Sequence, residues 1–173
     1  MQKLLPFAIT SLLGSSAMAA DLVVKLEVPK LNVAEYHRPY VAIWIERQDQ
    51  TFAGNLAVWY DVKKRDNEGV KWLKDMRQWW RRSGRDLSLP MDGVSGATRI
   101  VGEHTIVFAG DKGDLAKLAK GDYNLLIEAA REGGGREVVK LPFLWGGKDN
   151  KDSKPITAQG SHELGAVSLQ VKP

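Results

Sequence analysis

Apolar and polar residues alternate along much of the chain, with a period close to two. Leu22, Val24, Leu26 and Val28 are interleaved with Val23, Lys25 and Glu27, the pattern of a strand with one buried face. Residues 40–46 (YVAIWIE) and 55–62 (NLAVWYDV) are further β-rich runs. Residues 105–108, 123–130, 138–145 and 166–171 bring the total to about seven strands, the number of a small sandwich. Turn-forming residues separate them: Gly54, Asp66-Asn67-Glu68-Gly69, Gly110-Asp111-Lys112-Gly113 and Gly133-Gly134-Gly135. The glycine triplet reads as a hairpin turn. These features predict a mostly β chain, an immunoglobulin-like antiparallel β-sandwich. Leu118, followed by Gly121-Asp122-Tyr123 at the start of a strand, resembles a tyrosine corner, so Tyr123 reads as structural.

One segment departs from this period. In residues 71–83 (KWLKDMRQWWRRS), apolar side chains fall at 72, 73, 76, 79 and 80, which predicts one inserted amphipathic helix. Gly84 suits its C-cap, and Arg81 and Arg82 suit its last turn. Residues 85–99, with Pro90, Gly93 and Gly96, then read as a long loop, a type that often carries function. Residues 146–161 read as a second polar loop at the surface.

The N-terminus has its own logic. Lys3, the apolar run 4–13 and Ala17-Met18-Ala19 match a signal peptide over residues 1–19, leaving 20–173 as a single sandwich domain in the periplasm. The apolar run is well short of the ~20 residues that span a bilayer, so no membrane insertion is expected after cleavage. Of the 173 residues, 43% are hydrophobic and 27% charged, which supports a packed core rather than disorder. A net charge of +4 offers little support for nucleic-acid binding. With no cysteine, disulfides, thiolate metal sites and Cys-x-x-Cys-His haem attachment are excluded. His37, His104 and His162 are far apart, without ligand spacing; His162-Glu163 reads better as a surface turn than as a metal site. No nucleophile elbow or phosphate loop is present.

The chemistry concentrates in Asp92-Gly93-Val94-Ser95-Gly96-Ala97-Thr98. A match to Asp-x-x-Ser/Thr-Gly-Ala-Thr arises by chance in about one chain of this length in several thousand. Gly96 and Ala97 are small and leave the Thr98 hydroxyl uncrowded. Asp92 and Ser95 are suited to fixing the turn through side chain–backbone hydrogen bonds. Arg99 is placed to pair with an anion at Thr98. The stretch resembles the flavinylation motif of the FMN-bearing subunits of the sodium-pumping NADH:quinone oxidoreductase and the Rnf complex. That resemblance implies covalent FMN, joined by a phosphoester to Thr98 by an exported FAD:protein FMN transferase that uses magnesium. The chain lacks the N-terminal membrane helix of those subunits, so their membrane attachment is not implied.

The chain as a whole is similar, over most of residues 20–173, to a family of predicted periplasmic proteins of unknown function. The likeness lies in Gly121-x-Tyr123, residues 125–131, Leu141-Pro142-Phe143 with Trp145, and Glu163-Leu164-Gly165. Members tend to be encoded beside PepSY-type membrane proteins and flavin transferases. This implies an electron-transfer flavoprotein that shuttles electrons between a membrane reductase and a further acceptor. Such a chain is a redox carrier and a transferase substrate more than a stand-alone enzyme. A flat flavin ring stacks on aromatic side chains, and Trp79 and Trp80, just before the motif, are the expected ring wall. Arg77, Arg81, Arg82 and Arg85 form a nearby basic run suited to an acidic partner or to a solvated face. The alternative is a non-catalytic module that grips a ligand or protein with exposed tryptophans; a metal-handling accessory role is a third option.

Overall fold

Strand pairing divides the chain into two sheets. The computed structural model describes residues 20–147 and 154–172. The signal peptide expected over 1–19 and part of the polar loop expected over 146–161 therefore lie outside the described residues. The strands are β1 (Asp21–Val28), β2 (Tyr40–Arg47), β3 (Phe52–Tyr60), β4 (Ser95–Ala97), β5 (Gly102–Phe108), β6 (Gly121–Ala130), β7 (Arg136–Trp145), β8 (Ile156–Gln159) and β9 (Ala166–Lys172). One sheet has the order β5-β1-β9-β8 and the other β4-β3-β2-β6-β7. All pairs are antiparallel except β3 with β4. The fold is a β-sandwich, as the period of two predicts.

The alternation in β1 has the expected cause. Leu22, Val24 and Leu26 point into the space between the sheets, where they meet Ile43, Leu125, Ile127, Leu141 and Leu169. β2 and β6 are apolar without alternation because their sheet is covered on both faces. On its outer face, Ala42, Trp44, Val58, Tyr60 and Leu126 pack under Leu73, Met76 and Trp79. The tyrosine corner is formed: the Tyr123 hydroxyl donates to the Ala119 carbonyl at 3.0 Å. The glycine triplet turns the β6–β7 hairpin, with Gly134 N–H donating to Arg131 O at 3.0 Å.

The covering segment is not one helix. Residues Arg65–Asp75 form a 3-10 run, and only Arg77–Arg82 is α-helical, here α1. Met76, at φ −77° and ψ 72°, breaks the two apart. The 11-residue run itself contains Asp66 and Asn67 in left-handed conformations. Gly84 is not a C-cap residue; it is there because a Cβ would lie 2.6 Å from the Trp79 ring. No side chain of its own caps α1. Glu128, fully buried on β6, accepts the N–H groups of Gln78 (3.1 Å) and Trp79 (2.7 Å), and its charge is met by Arg136. The sheet thus supplies the cap that the local sequence lacks.

Two expected loops contain strands. β4 lies within 85–99 and β8 within 146–161. Both sit at sheet edges, where a strand is paired on one side only. Short polar or glycine-containing segments serve there, so they carry little of the β signature.

Candidate functional site

β4 positions the candidate acceptor. Val58, Trp59 and Tyr60 near the end of β3 are in register with Ser95, Gly96 and Ala97. Val58 N–H donates to the Val94 carbonyl at 2.8 Å, starting the parallel pairing. The turn before it is closed by Ser95, whose backbone N–H reaches Met91 O (2.8 Å) while its hydroxyl accepts Met91 N–H (2.9 Å). Gly93 supplies the left-handed residue of this turn, at φ +73°. Ser95 therefore does what the sequence suggests. Asp92 is exposed and makes no hydrogen bond among the described residues. Gly96 lies against Trp59, where a Cβ would sit 3.4 Å from Cδ1. Ala97 is exposed, and Thr98 emerges half-buried from the sheet edge.

Thr98 opens on a cavity of about 290 Å³. The link between β1 and β2 contributes Tyr36, His37 and Arg38, and Tyr40 follows at the start of β2. Trp72 and Asp75 come from the 3-10 run, Asp61 follows β3, and Arg131 and Glu132 follow β6. A second groove of about 480 Å³ shares Trp72, Asp75, Arg131 and Glu132, then runs past Gly133–Gly135 to Arg77 and Arg136. Trp72 is 44% exposed and so presents a free aromatic surface in this wall.

The polar groups of the cavity are in unequal states. Burial first, then the Asp61 carboxylate, pushes the Tyr40 phenol up to about 12, so it stays protonated. Burial likewise raises the Tyr36 phenol, against the pull of Arg131. The Tyr36 hydroxyl is buried without a hydrogen-bond partner among the described residues. Arg131 is held by Glu163 through two bonds of 2.9 and 3.1 Å, both side chains being buried. His37 lies 3.2 Å from Glu35 and 3.8 Å from Glu132. Arg38 is exposed and has no hydrogen bond or ion pair among the described residues.

Several expected residues fall elsewhere. Trp79 is fully buried; its ring packs in the outer core and its indole N–H donates to Asn55 Oδ1 at 2.8 Å. No face of it is free to stack on a ligand. Trp80 is half-buried beside it at 6.3 Å between ring centroids, and neither lines the Thr98 cavity. The Arg99 guanidinium lies over the Trp59 ring at 5.2 Å, a cation–π contact, and is absent from the cavity lining. In the basic run, Arg82 pairs with Glu46 at 3.3 Å and Arg85 with Asp86 at 3.5 Å. Among the described residues, no group of three His, Asp or Glu side chains is arranged to hold a metal.

The sequence reading missed Tyr36, Arg38 and Tyr40, left the burial of the Trp-rich segment open, and named Trp79 and Trp80 rather than Trp72 as the ring wall. A signal was present: Tyr36-His37-Arg38-Pro39-Tyr40 is an aromatic and basic cluster in a link between strands.

Fold and site together define a two-sheet β-sandwich with a cavity lined by aromatic and charged side chains beside the threonine that follows an edge strand. Residues 21–166 match the family described as "Predicted periplasmic protein (DUF2271)", and the chain belongs to that family. Among the described residues, no helix is long and apolar enough to cross a membrane. No curated protein and no solved structure matches the chain.

Proposed function

We propose that the protein is a periplasmic carrier of covalently bound FMN, attached through a phosphoester at Thr98. One observation carries this reading: the threonine of the motif opens on the same cavity as Trp72 and Tyr40. Small-molecule clefts run from about 300 to 1,000 Å³, and this cavity, at about 290 Å³, lies at the lower limit, room for part of a flat ring with the rest in solvent. Tyr40 and Trp72 are the aromatic surfaces for stacking, in place of Trp79 and Trp80. The residues present therefore fit the group.

Attachment is a phosphoryl transfer from FAD, catalysed by an FAD:protein FMN transferase. The Thr98 oxygen bonds to the flavin-side phosphorus and the phosphorus–oxygen bond of the pyrophosphate breaks. AMP leaves with the bridging oxygen, and the hydroxyl proton is released. Acceptor proteins contribute position more than covalent chemistry to such a step. Thr98 is positioned by β4, whose turn is locked by Ser95. When bound, flavin supplies one- and two-electron transfer, and the protein's part is to seat the ring and set its surroundings. The electrons pass between a membrane reductase, of the PepSY type, and a further acceptor.

The test is the intact mass of the protein made together with the transferase, beside Thr98→Ala. Wild type gains the mass of one FMN residue, keeps its yellow colour on denaturation, and loses both in the variant. An unmodified mass with an active transferase rejects the reading. The exposure of Trp72 also favours a second reading, a ligand-binding module that makes no use of Thr98. Retention of a bound ligand in Thr98→Ala, lost in Trp72→Ala, identifies that case.

A further inference from the structure

We propose that Arg38 is the residue that binds the phosphate joining the flavin to Thr98. This deepens the FMN reading and rests on it. Three arginines are candidates by position. Arg99 is next to Thr98 in the chain, while Arg38 and Arg131 line the same cavity as Thr98.

Two of the three are already committed. Arg99 lies on the Trp59 ring at 5.2 Å and does not line the cavity. Arg131 gives two hydrogen bonds to Glu163, and with both side chains buried, pulling it away would strand a carboxylate in the interior. Arg38 alone of the three has no hydrogen bond, ion pair or ring contact among the described residues.

The acids of the cavity do not take its place. Glu132 faces His37 at 3.8 Å, and Asp61 faces Lys64 at 3.9 Å. Asp75 lines the same cavity, but among the described residues no hydrogen bond or ion pair joins it to Arg38. One guanidinium is therefore free on the Thr98 side, and a phosphodiester carries one negative charge. The planar fork of Arg matches two phosphate oxygens at once, which a lysine cannot do. The backbone there is also pre-set. Pro39 is buried, its ring fixes its own φ, and it keeps Arg38 out of the helical region.

The experiment compares wild type, Arg38→Ala, Arg38→Lys and Arg99→Ala, each made with the transferase, FAD and magnesium. Intact mass first reports attachment at Thr98. The phosphorus NMR resonance of the linker then reads the phosphate's surroundings directly. The expected result is a moved resonance in Arg38→Ala, partly restored in Arg38→Lys and unmoved in Arg99→Ala. Loss of attachment in Arg38→Ala with normal attachment in Arg99→Ala supports the same assignment. If wild type gains no mass, the FMN reading fails and takes this one with it. Normal attachment with an unmoved resonance in Arg38→Ala overturns the Arg38 assignment alone, and a moved resonance in Arg99→Ala instead returns the phosphate to Arg99.

Discussion

The carboxylate of Glu128, on β6, accepts the backbone N–H of Trp79 at 2.7 Å and so holds the start of α1 down on the outer face of the sheet. Glu128 is fully buried, so its hydrogen bonds and its pairing with Arg136 offset a large desolvation cost. Glu128→Ala leaves two helix N–H groups and a guanidinium without their acceptor. The expected loss of stability is about 2–4 kcal/mol. A denaturant melt checks it, and hydrogen exchange should quicken first at residues 77–82.

Trp72 and Trp79 are seven positions apart in the chain and face opposite environments. Trp79→Ala removes a fully buried ring and should cost about 3–5 kcal/mol. Trp72→Leu alters a side chain that is 44% exposed and should change stability by less than about 0.5 kcal/mol. If FMN is attached as proposed and its ring rests on Trp72, Trp72→Leu should brighten flavin emission, because a stacked indole quenches it. Unchanged emission removes Trp72 from the ring seat.

Glu137 ties the β6–β7 hairpin to the segment before β9. Its carboxylate takes the N–H groups of Ser161, His162, Glu163 and Leu164 and the Ser161 hydroxyl. Partial burial alone would raise its pKa, but these donors outweigh burial and hold it at about 2, against an ordinary 4.5. The folded pKa is depressed, so the stabilisation is fully present above pH 4.5 and is lost as pH falls towards 2. Thermal melts across that window should show a steep fall in Tm for wild type. Glu137→Gln should start lower at neutral pH and show a shallower fall.

Tyr123→Phe deletes the hydroxyl that donates to Ala119 and keeps the ring packed against Phe143 at 6.0 Å. The expected cost is about 1 kcal/mol, read from the denaturation midpoint, with flavin attachment unaffected. A change in attachment would mean that the corner does more than hold the sandwich.

The core strands were legible because the space between two sheets imposes strict alternation, as in Leu22, Val24 and Leu26. The outer covering was legible only in part. Apolar residues at 73, 76 and 79 report which side is buried, but the same spacing fits a 3-10 run broken at Met76 as well as a helix. That is why the spacing alone did not separate the exposed Trp72 from the buried Trp79. Edge strands β4 and β8 lacked a signature because half of their hydrogen-bonding groups face away from the sheet. Thr98 was visible as a local motif, whereas its cavity is built from residues 36–38, 40, 61, 72, 75 and 130–132, which only the fold brings together.

The three-residue strand β4 is short, but its parallel pairing to β3 fixes where Thr98 stands. Any group bonded to that hydroxyl explores a small sphere that includes the cavity. It meets the cavity at an effective concentration on the order of millimolar or above. Contacts far too weak to capture a free molecule from the periplasm are then enough to keep a ring seated. Under the proposed attachment, a cavity with one exposed tryptophan would be sufficient, and the covalent bond would take over the work that depth does in a pocket for a dissociable cofactor.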